Sequence, residues 1–381
     1  MTNTQHSPDT NEEFDKLRHS TYQPDQSGKS STSSGPPKQK RWWRRALVLA
    51  VVLVLVPMSI LLTWNLRNIS TASEQLFGSG NVLGFIPTRS LPTDHAGRTN
   101  ILIIGNAADR DTHGGADLTD TLLLLSLSSD RDDYMLSIPR DLYVDIPGRS
   151  MGKINEAFPF GEISSFTHSS YRDGGVGVVE QLVDDIFGLD VHIAMIVNFT
   201  AVEEVVDAFN GITVEIDSPD ERGLYDPNFQ PEEGGPLRLE NGTQDIDGQT
   251  ALRLTRARGA AGGYGFPESD FNRTRNQQAV VKGVLEELDI RWLLNPRNNE
   301  ALLQAAASHI EMDLAMNHAI PFFRQLRNVS VDDVATYTLR DIDGQNLLSS
   351  YRTPTGMSAL IPASGIESYQ EIRSAIAEIH R

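Results

Sequence analysis

The sequence predicts an α/β fold in which helices flank a central mixed β-sheet. Short apolar runs of strand length alternate with longer segments of helical spacing from about residue 99 to the end of the sequence. This alternation favours helices packed around one sheet. Hydrophobic residues make up 39% of the 381 residues, which is ample for a core. One uncharged apolar run near the N-terminus has the length of a bilayer rather than of a core helix.

The strands are predicted from short buried runs that end at turn residues. The first, residues 100–104 (NILII), stops at Gly105, and the fourth stops at the Pro-Gly turn of residues 147–148. The other predicted strands are 121–127 (TLLLLSL), 134–138 (YMLSI), 142–146 (LYVDI), 191–197 (VHIAMIV), 212–216 (ITVEI) and 334–339 (VATYTL).

Helices are predicted where apolar residues recur at helical spacing. Thr200, with Glu203 three residues later, is expected to cap one helix through a capping box. Residues 218–245 are rich in Pro and Gly and are predicted to form a loop. The predicted helices are 176–187, 201–209, 247–256, 270–291, 297–309, 317–327 and 366–381.

Residues 46–66 are predicted to form one transmembrane helix. No charged residue lies between Arg45 and Arg67, and about 20 apolar residues match the thickness of the hydrocarbon core. Residues 38–45 add lysines, arginines and two tryptophans at the expected interface. The positive-inside rule then places the N-terminus in the cytoplasm and the rest outside. A cleaved signal peptide is the alternative, and the long polar segment before the run disfavours it.

The charge distribution agrees with a single-pass protein of the cell membrane. The whole chain carries a formal net charge of −18 and residues 1–45 carry +3, so the rest of the chain carries −21. We expect residues 1–45 to be a disordered cytoplasmic tail and residues 67–98 an extracytoplasmic stalk. So acidic a chain is not expected to bind nucleic acid. The absence of cysteine excludes disulfides and thiolate chemistry.

Four segments outside the membrane place charged side chains beside predicted strands. They are GNAADRDTHGGADLTDT after the first strand, SIPRDL after the third, KIN at residues 153–155, and the pair LRLTRARG and DFNRTRNQQ. Carboxylates bind Mg²⁺ through oxygen, and guanidinium groups pair with phosphate oxygens. The residue types therefore indicate a metal-assisted phosphate site. Solvated surface charge is the alternative that the residues alone leave open.

These motifs, in this order, resemble the LytR-CpsA-Psr family over residues 99–285. The resemblance implies a Mg²⁺-dependent phosphotransferase that moves a glycopolymer from a polyprenyl diphosphate carrier to a peptidoglycan hydroxyl. It also implies an apolar lipid-binding tunnel in the α/β domain. Residues 99–285 would form the catalytic domain, and residues 286–381 an α/β extension that packs on it.

The resemblance also assigns roles to individual residues. It places metal ligands at Asp109 and Asp120, and the catalytic groups at Asp120, Arg140, Arg256 and Arg258. Substrate-binding groups are expected at Arg110, Lys153, Arg273 and Gln277.

Two departures from the family pattern stand out. Leu118 replaces the arginine that usually precedes the S/T-D-T triplet, and we expect Arg110 to fill its place. Asp109 lies four residues after Gly105, whereas the family usually has this aspartate two residues after the glycine.

Three other functions remain open from the sequence. The same site could hydrolyse polyprenyl diphosphates, with water as the acceptor. The protein could instead bind lipid-linked glycan without catalysis and regulate envelope synthesis. Transcriptional control is disfavoured because the outer part is acidic and the tail has no helix-turn-helix.

Overall fold

A six-stranded mixed sheet forms the central layer of the protein. The computed structural model describes residue 70 and residues 90–106, 118–288 and 296–381. The strands in chain order are β1 (Arg98–Asn106), β2 (Thr119–Ser128), β3 (Tyr134–Ser137), β4 (Tyr143–Asp145), β5 (Met151–Lys153), β6 (Ile193–Asn198), β7 (Ile212–Ile216), β8 (Leu224–Asp226), β9 (Leu237–Leu239), β10 (Gly242–Ile246), β11 (Ile310–Met312), β12 (Ala335–Thr338), β13 (Leu348–Arg352) and β14 (Ser358–Pro362).

Helices lie between these strands along most of the chain. They are α1 (Ala157–Ser164), α2 (Gly174–Phe187), α3 (Phe199–Ala208), α4 (Gly248–Arg256), α5 (Asp270–Glu287), α6 (Pro296–His309), α7 (Met316–Arg327) and α8 (Gln370–Ile379). The last helix begins four residues later than residue 366, where the sequence predicted its start.

The order of strands in the sheet is β11-β6-β1-β2-β3-β12. β1 pairs with β2 in antiparallel and with β6 in parallel orientation, so the sheet is mixed as predicted. β12 pairs in parallel with β3 and adds an edge strand from the C-terminal part of the chain. The remaining strands form four two-stranded sheets around this layer.

Each face of the sheet packs against helices because alternate side chains point to opposite faces. On one face, Leu102, Leu124 and Leu136 join Val179 and Leu182 of α2 in a buried cluster. We call the cluster on the other face the second core; its buried residues include Ile101, Leu123, Leu125, Leu285 of α5 and Phe322 of α7. The predicted sandwich of helices around one sheet is therefore confirmed.

The prediction of a loop at residues 218–245 was wrong. This region contains β8, β9 and most of β10, which pack with β7, α3 and α4 in a third cluster. Leu224, Leu237 and Leu239 are buried there. Strands of three residues are too short to show a periodic pattern, and the surrounding Pro and Gly hid them.

The predicted cap at Thr200 was also wrong, because α3 begins at Phe199, two residues earlier than predicted. Asn198 is the N-cap, in extended conformation at the end of β6. Its side-chain oxygen accepts a hydrogen bond from the Ala201 N–H at 2.8 Å. Asn and Thr both serve as caps, so the sequence alone did not decide between them.

Several predictions fall on residues outside the described ranges. They are the tail and membrane span of residues 1–66, nearly all of the stalk, and the site residues Asp109 and Arg110. Among the described residues, no helix combines the length and the apolarity that crossing a bilayer requires.

A buried polar network joins His380 to the beginning of the sheet. His380 Nε2 lies 2.6 Å from Asp94 Oδ2, and its Nδ1 lies 2.7 Å from the Tyr134 hydroxyl. Arg98 Nε donates to the His380 carbonyl oxygen at 2.9 Å. Burial lowers the pKa of His380, although Asp94 opposes this shift. Nearby, burial also lowers the pKa of His192.

We predict that the protein loses stability as the pH falls from about 7 to about 5. His380 and His192 have folded-state pKa values below the usual 6.5. In this pH range the unfolded chain therefore binds more protons, so the free energy of unfolding decreases on acidification. Thermal denaturation at several pH values between about 7 and about 5 measures this loss of stability. A His380→Gln variant should melt lower at neutral pH but show a shallower pH dependence; a slope as steep as that of the wild type would contradict the prediction.

Candidate active site

A β-bulge at the junction of β1 and β2 places Asp120. Gly105 pairs with Thr121 and Asn106 with Thr119, so Asp120 is the extra residue on β2. Bulges redirect side chains and are frequent beside active sites. A Cβ atom on Gly105 would lie 2.8 Å from Thr121 Cβ, so the two strands can approach this closely only with glycine here.

Arg140 bridges Asp120 to a second carboxylate, that of Asp270. It follows β3 through Pro139, and its Nη1 binds Asp120 Oδ1 while its Nη2 lies 3.4 Å from Asp270 Oδ1. The Arg140 carbonyl oxygen accepts a hydrogen bond from the Asn155 N–H at 3.2 Å, which fixes the turn. Burial acts to lower the pKa of Arg140, but Asp270 and Asp120 outweigh it and raise the pKa.

Arg273, in the first turn of α5, is the most buried arginine of the site, with 6% of its side chain exposed. Its Nη2 lies 3.0 Å from Asp270 Oδ1 and donates to the Asp120 carbonyl oxygen at 3.1 Å. Its Nη1 lies 3.7 Å from Asp120 Oδ1. Burial lowers the pKa of Arg273 to about 10 although Asp270 and Asp120 oppose it, so the guanidinium remains charged at neutral pH.

Asp270 is the functional residue that the sequence reasoning missed, since it was read only as the start of a helix. Besides Arg140 and Arg273, it lies 3.9 Å from Arg258 Nη1. We call Asp120, Arg140, Arg258, Asp270 and Arg273 the arginine–aspartate cluster. The i,i+3 spacing of Asp270 and Arg273 was the available signal, because such residues are neighbours on a helix surface.

Arg256 does not join this cluster. It is the last residue of α4, and Ala257 then adopts an extended conformation. The side chains of Arg256 and Arg258 therefore reach different partners. Arg256 Nη1 binds Glu233 Oε1 at 2.6 Å, whereas Arg258 faces Asp270.

Lys153 and Gln277 lie beside the cluster with partners of their own. Lys153 Nζ binds Asp141 Oδ1 at 2.7 Å, and Asp141 follows Arg140 directly in the chain. Gln277, one helical turn after Arg273, donates to the Thr255 carbonyl oxygen at 3.1 Å. Leu118, which stands where an arginine was expected, is 37% exposed.

The cluster fits a cation and an oxyanion together. No group of three or more potential metal ligands occurs among the described residues, but Mg²⁺ keeps several waters and needs only one or two protein carboxylates. Asp120 and Asp270 both contact the guanidinium of Arg140. Arg140 Nε and Arg273 Nε are buried without hydrogen bonds to described residues. Buried unsatisfied groups of this kind often mark a ligand or ion site.

A match to a protein-family model identifies the family of this chain. The model of the LytR_cpsA_psr family matches residues 73–356, which is most of the chain. The chain belongs to the LytR_cpsA_psr family. The resemblance predicted from the sequence motifs is thus confirmed.

A curated member of similar sequence is the polyisoprenyl-teichoic acid–peptidoglycan teichoic acid transferase TagU of Oceanobacillus iheyensis. It is 33% identical over 189 residues, which cover 49% of this chain and 51% of the relative. The chain thus spans about half the length of the curated relatives it matches.

Solved structures share the fold. TagT bound to LIIa-WTA has a TM-score of 0.54 at 22% identity and covers 78% of this chain and 97% of its own. The family protein YwtF (TagT) with bound octaprenyl pyrophosphate lipid has a TM-score of 0.51 at 20% identity and covers 78% of this chain and 97% of its own. At this identity the likeness shows the α/β fold alone.

We predict that Asp270→Asn destabilises the protein and that inorganic pyrophosphate reverses the loss. Removing the central carboxylate leaves three guanidinium groups under-compensated, which should cost about 1–3 kcal/mol and lower the melting temperature by several degrees. Pyrophosphate supplies the missing negative charge, so it should raise the melting temperature of the variant more than that of the wild type.

The matched control is Glu268→Gln, which breaks the exposed pair of Glu268 with Arg275 just outside the cluster. Exposed pairs contribute little, so its melting temperature should stay near that of the wild type. An Asp270→Asn variant as stable as this control, or indifferent to pyrophosphate, would contradict the role of Asp270.

Proposed function

We propose that this protein transfers a glycopolymer from a polyprenyl diphosphate carrier to peptidoglycan by phosphoryl transfer. The observation that carries the proposal is the arginine–aspartate cluster, which assembles three guanidinium groups and two carboxylates from distant segments of a family member. The relatives named as teichoic acid transferases support the substrate class. The particular glycopolymer is not fixed by these residues.

The head group of the carrier would bind at the guanidinium groups. Arginine pairs with phosphate oxygens through a planar fork, and Arg140, Arg258 and Arg273 converge on one carboxylate within 4 Å. Diphosphate oxygens would take over part of the contacts that Asp270 now makes. Arg256, Lys153 and Gln277 flank this position, and Arg110 is a further candidate from the sequence.

Magnesium fits the same site as a cofactor. Asp120 would hold the ion, with Asp270 or the sequence-predicted Asp109 as a second carboxylate. When bound, the ion would neutralise the charge of the diphosphate oxygens, as divalent ions do in phosphoryl transfer.

In the proposed reaction, a hydroxyl of peptidoglycan attacks the phosphorus on the glycan side of the diphosphate. A new P–O bond to the acceptor forms, the bridging P–O bond breaks, and polyprenyl phosphate leaves. Arg140, Arg258 and Arg273 would stabilise the charge that develops on this leaving group. The carboxylate of Asp120 would orient the hydroxyl and accept its proton.

The prenyl chain would lie against the second core. Helix α5 carries Arg273 in its first turn and Val281 farther along, and Leu288 follows its last residue, so a single helix joins the polar cluster to an apolar surface. Ile103, Met195 and Phe323 pack on the second core while remaining partly exposed. Such residues can line the tunnel that the family resemblance predicts.

The predicted span at residues 46–66 completes the proposal. With the N-terminus in the cytoplasm, the active site would lie on the outer side of the membrane, where peptidoglycan is found. Anchoring to the bilayer would also keep the site close to a carrier whose prenyl chain is embedded in it.

We predict that the full chain in detergent transfers phosphoglycan from a polyprenyl-diphosphate-linked sugar to peptidoglycan, and only when Mg²⁺ is present. Asp120→Ala should lower the rate at least about 100-fold, since it removes preorganised electrostatic groups. Asp130→Ala, in the exposed turn between β2 and β3, is the control and should leave the rate unchanged.

Analysis of the products separates the remaining functions. The sugar of the donor is radiolabelled. Label that appears on peptidoglycan identifies a transferase, whereas label in a free sugar phosphate identifies a hydrolase. Binding of the carrier with neither product would identify a non-catalytic binder. The proposal fails if Asp120→Ala and Asp130→Ala behave alike.

A further inference from the structure

We propose that Glu233 is a positioning residue that holds Arg256 apart from the arginine–aspartate cluster until a diphosphate head group releases it. The inference rests on the proposed function, because it concerns how the same site takes up its substrate. The sequence predicted Arg256 as a catalytic group together with Arg258. In the structure Arg256 makes no ion pair with Asp120 or Asp270, and its partner is Glu233.

The contact between Arg256 and Glu233 is well formed. Their Nη1 and Oε1 atoms are 2.6 Å apart, and the two side chains are only 19% and 26% exposed. The rings of Phe199 and Phe229 lie 5.3 Å and 5.6 Å from Arg256 Cζ. Aromatic faces attract a guanidinium at this distance, so the position away from the cluster is a stabilised one.

Glu233 is presented to Arg256 by a rigid turn. It ends a 3₁₀ turn, and its Oε2 accepts a hydrogen bond from the Gln230 N–H at 3.1 Å in a capping box. Arg253 Nη1 donates to the Gly234 carbonyl oxygen at 2.9 Å and ties the turn to α4. The carboxylate is therefore fixed, and the long side chain of Arg256 is the partner that can change position.

Arg256 begins close to the cluster. Arg258, two residues later, faces Asp270, and two residues of chain span at most about 7 Å. Gln277 binds the carbonyl oxygen of Thr255, which holds this stretch of backbone against α5. A rotation of one side chain can thus bring Arg256 to a head group at the cluster. A cavity of about 180 Å³ lies beside the Arg256 side chain and is lined in part by Glu232 and Glu233.

The exchange follows from charge. In the free protein the guanidinium of Arg256 is neutralised by one carboxylate. A diphosphate at the cluster offers several anionic oxygens, which compete with that carboxylate for the same fork. The carrier must break the Arg256–Glu233 pair when it binds, and this cost lowers its net affinity for the protein. The pair also makes the contact of Arg256 with the cluster depend on a bound head group.

The test measures the affinity of the full chain in detergent for geranylgeranyl diphosphate, by calorimetry with Mg²⁺ present. Glu233→Gln removes the charge but keeps a side-chain oxygen for the Gln230 N–H. We expect it to lower Kd about three- to tenfold, since a partly exposed ion pair no longer competes. The kcat of glycan transfer should stay close to that of the wild type, so the change should appear in KM.

Two further variants separate this role from a structural or general charge effect. Glu232→Gln removes a charge from the same turn and cavity, but Glu232 has no ion pair with a described residue, so Kd should not change. In an Arg256→Ala background, Glu233→Gln should no longer tighten binding, because the effect acts through Arg256. Tightening that persists without Arg256, or that Glu232→Gln reproduces, would overturn the proposal.

The wild type and Arg273→Ala distinguish failure of the inference from failure of the proposed function. If the wild type binds the diphosphate and Arg273→Ala weakens binding, the site is correct and the Glu233 result stands alone. An unchanged or weaker affinity of Glu233→Gln then overturns only the role of Glu233. If the wild type does not bind the diphosphate, both proposals are wrong.

Discussion

The structure of the site depends on Asp270, which allows three guanidinium groups to lie close together. Like charges in a partly buried site repel strongly unless carboxylates lie between them. Asp270 contacts Arg140, Arg258 and Arg273, and Asp120 contacts two of the three. The cluster is thereby kept compact without substrate, and its contacts are ones that phosphate oxygens and a divalent ion can replace.

The fold brings these groups together from segments far apart in sequence. The bulge after Gly105 supplies Asp120, the turn after β3 supplies Arg140, and the first turn of α5 supplies Asp270 and Arg273. Because α5 also packs on the second core, the polar head and the apolar chain of a lipid could bind along one element. Strands and helices position a site more rigidly than loops do.

Much of the fold could be predicted because periodic apolar patterns are local. Five of the six strands of the central sheet and the helices at residues 174–187 and 248–256 follow from them, whereas β8, β9 and the edge strand β11 were too short to be recognised. The family resemblance identified Asp120, Arg140, Arg258 and Arg273 as candidates. It could not reveal that Asp270 joins them or that Arg256 turns toward Glu233, because both facts depend on contacts between distant segments.

The most direct test of the central claim is a crystal structure of the protein with polyprenyl diphosphate and Mn²⁺ in place of Mg²⁺. The account predicts diphosphate density in contact with Arg140, Arg258 and Arg273, anomalous signal at the Asp120 carboxylate, and the prenyl chain against the second core. A head group bound elsewhere, with Asp270 still holding all three arginines, would contradict it.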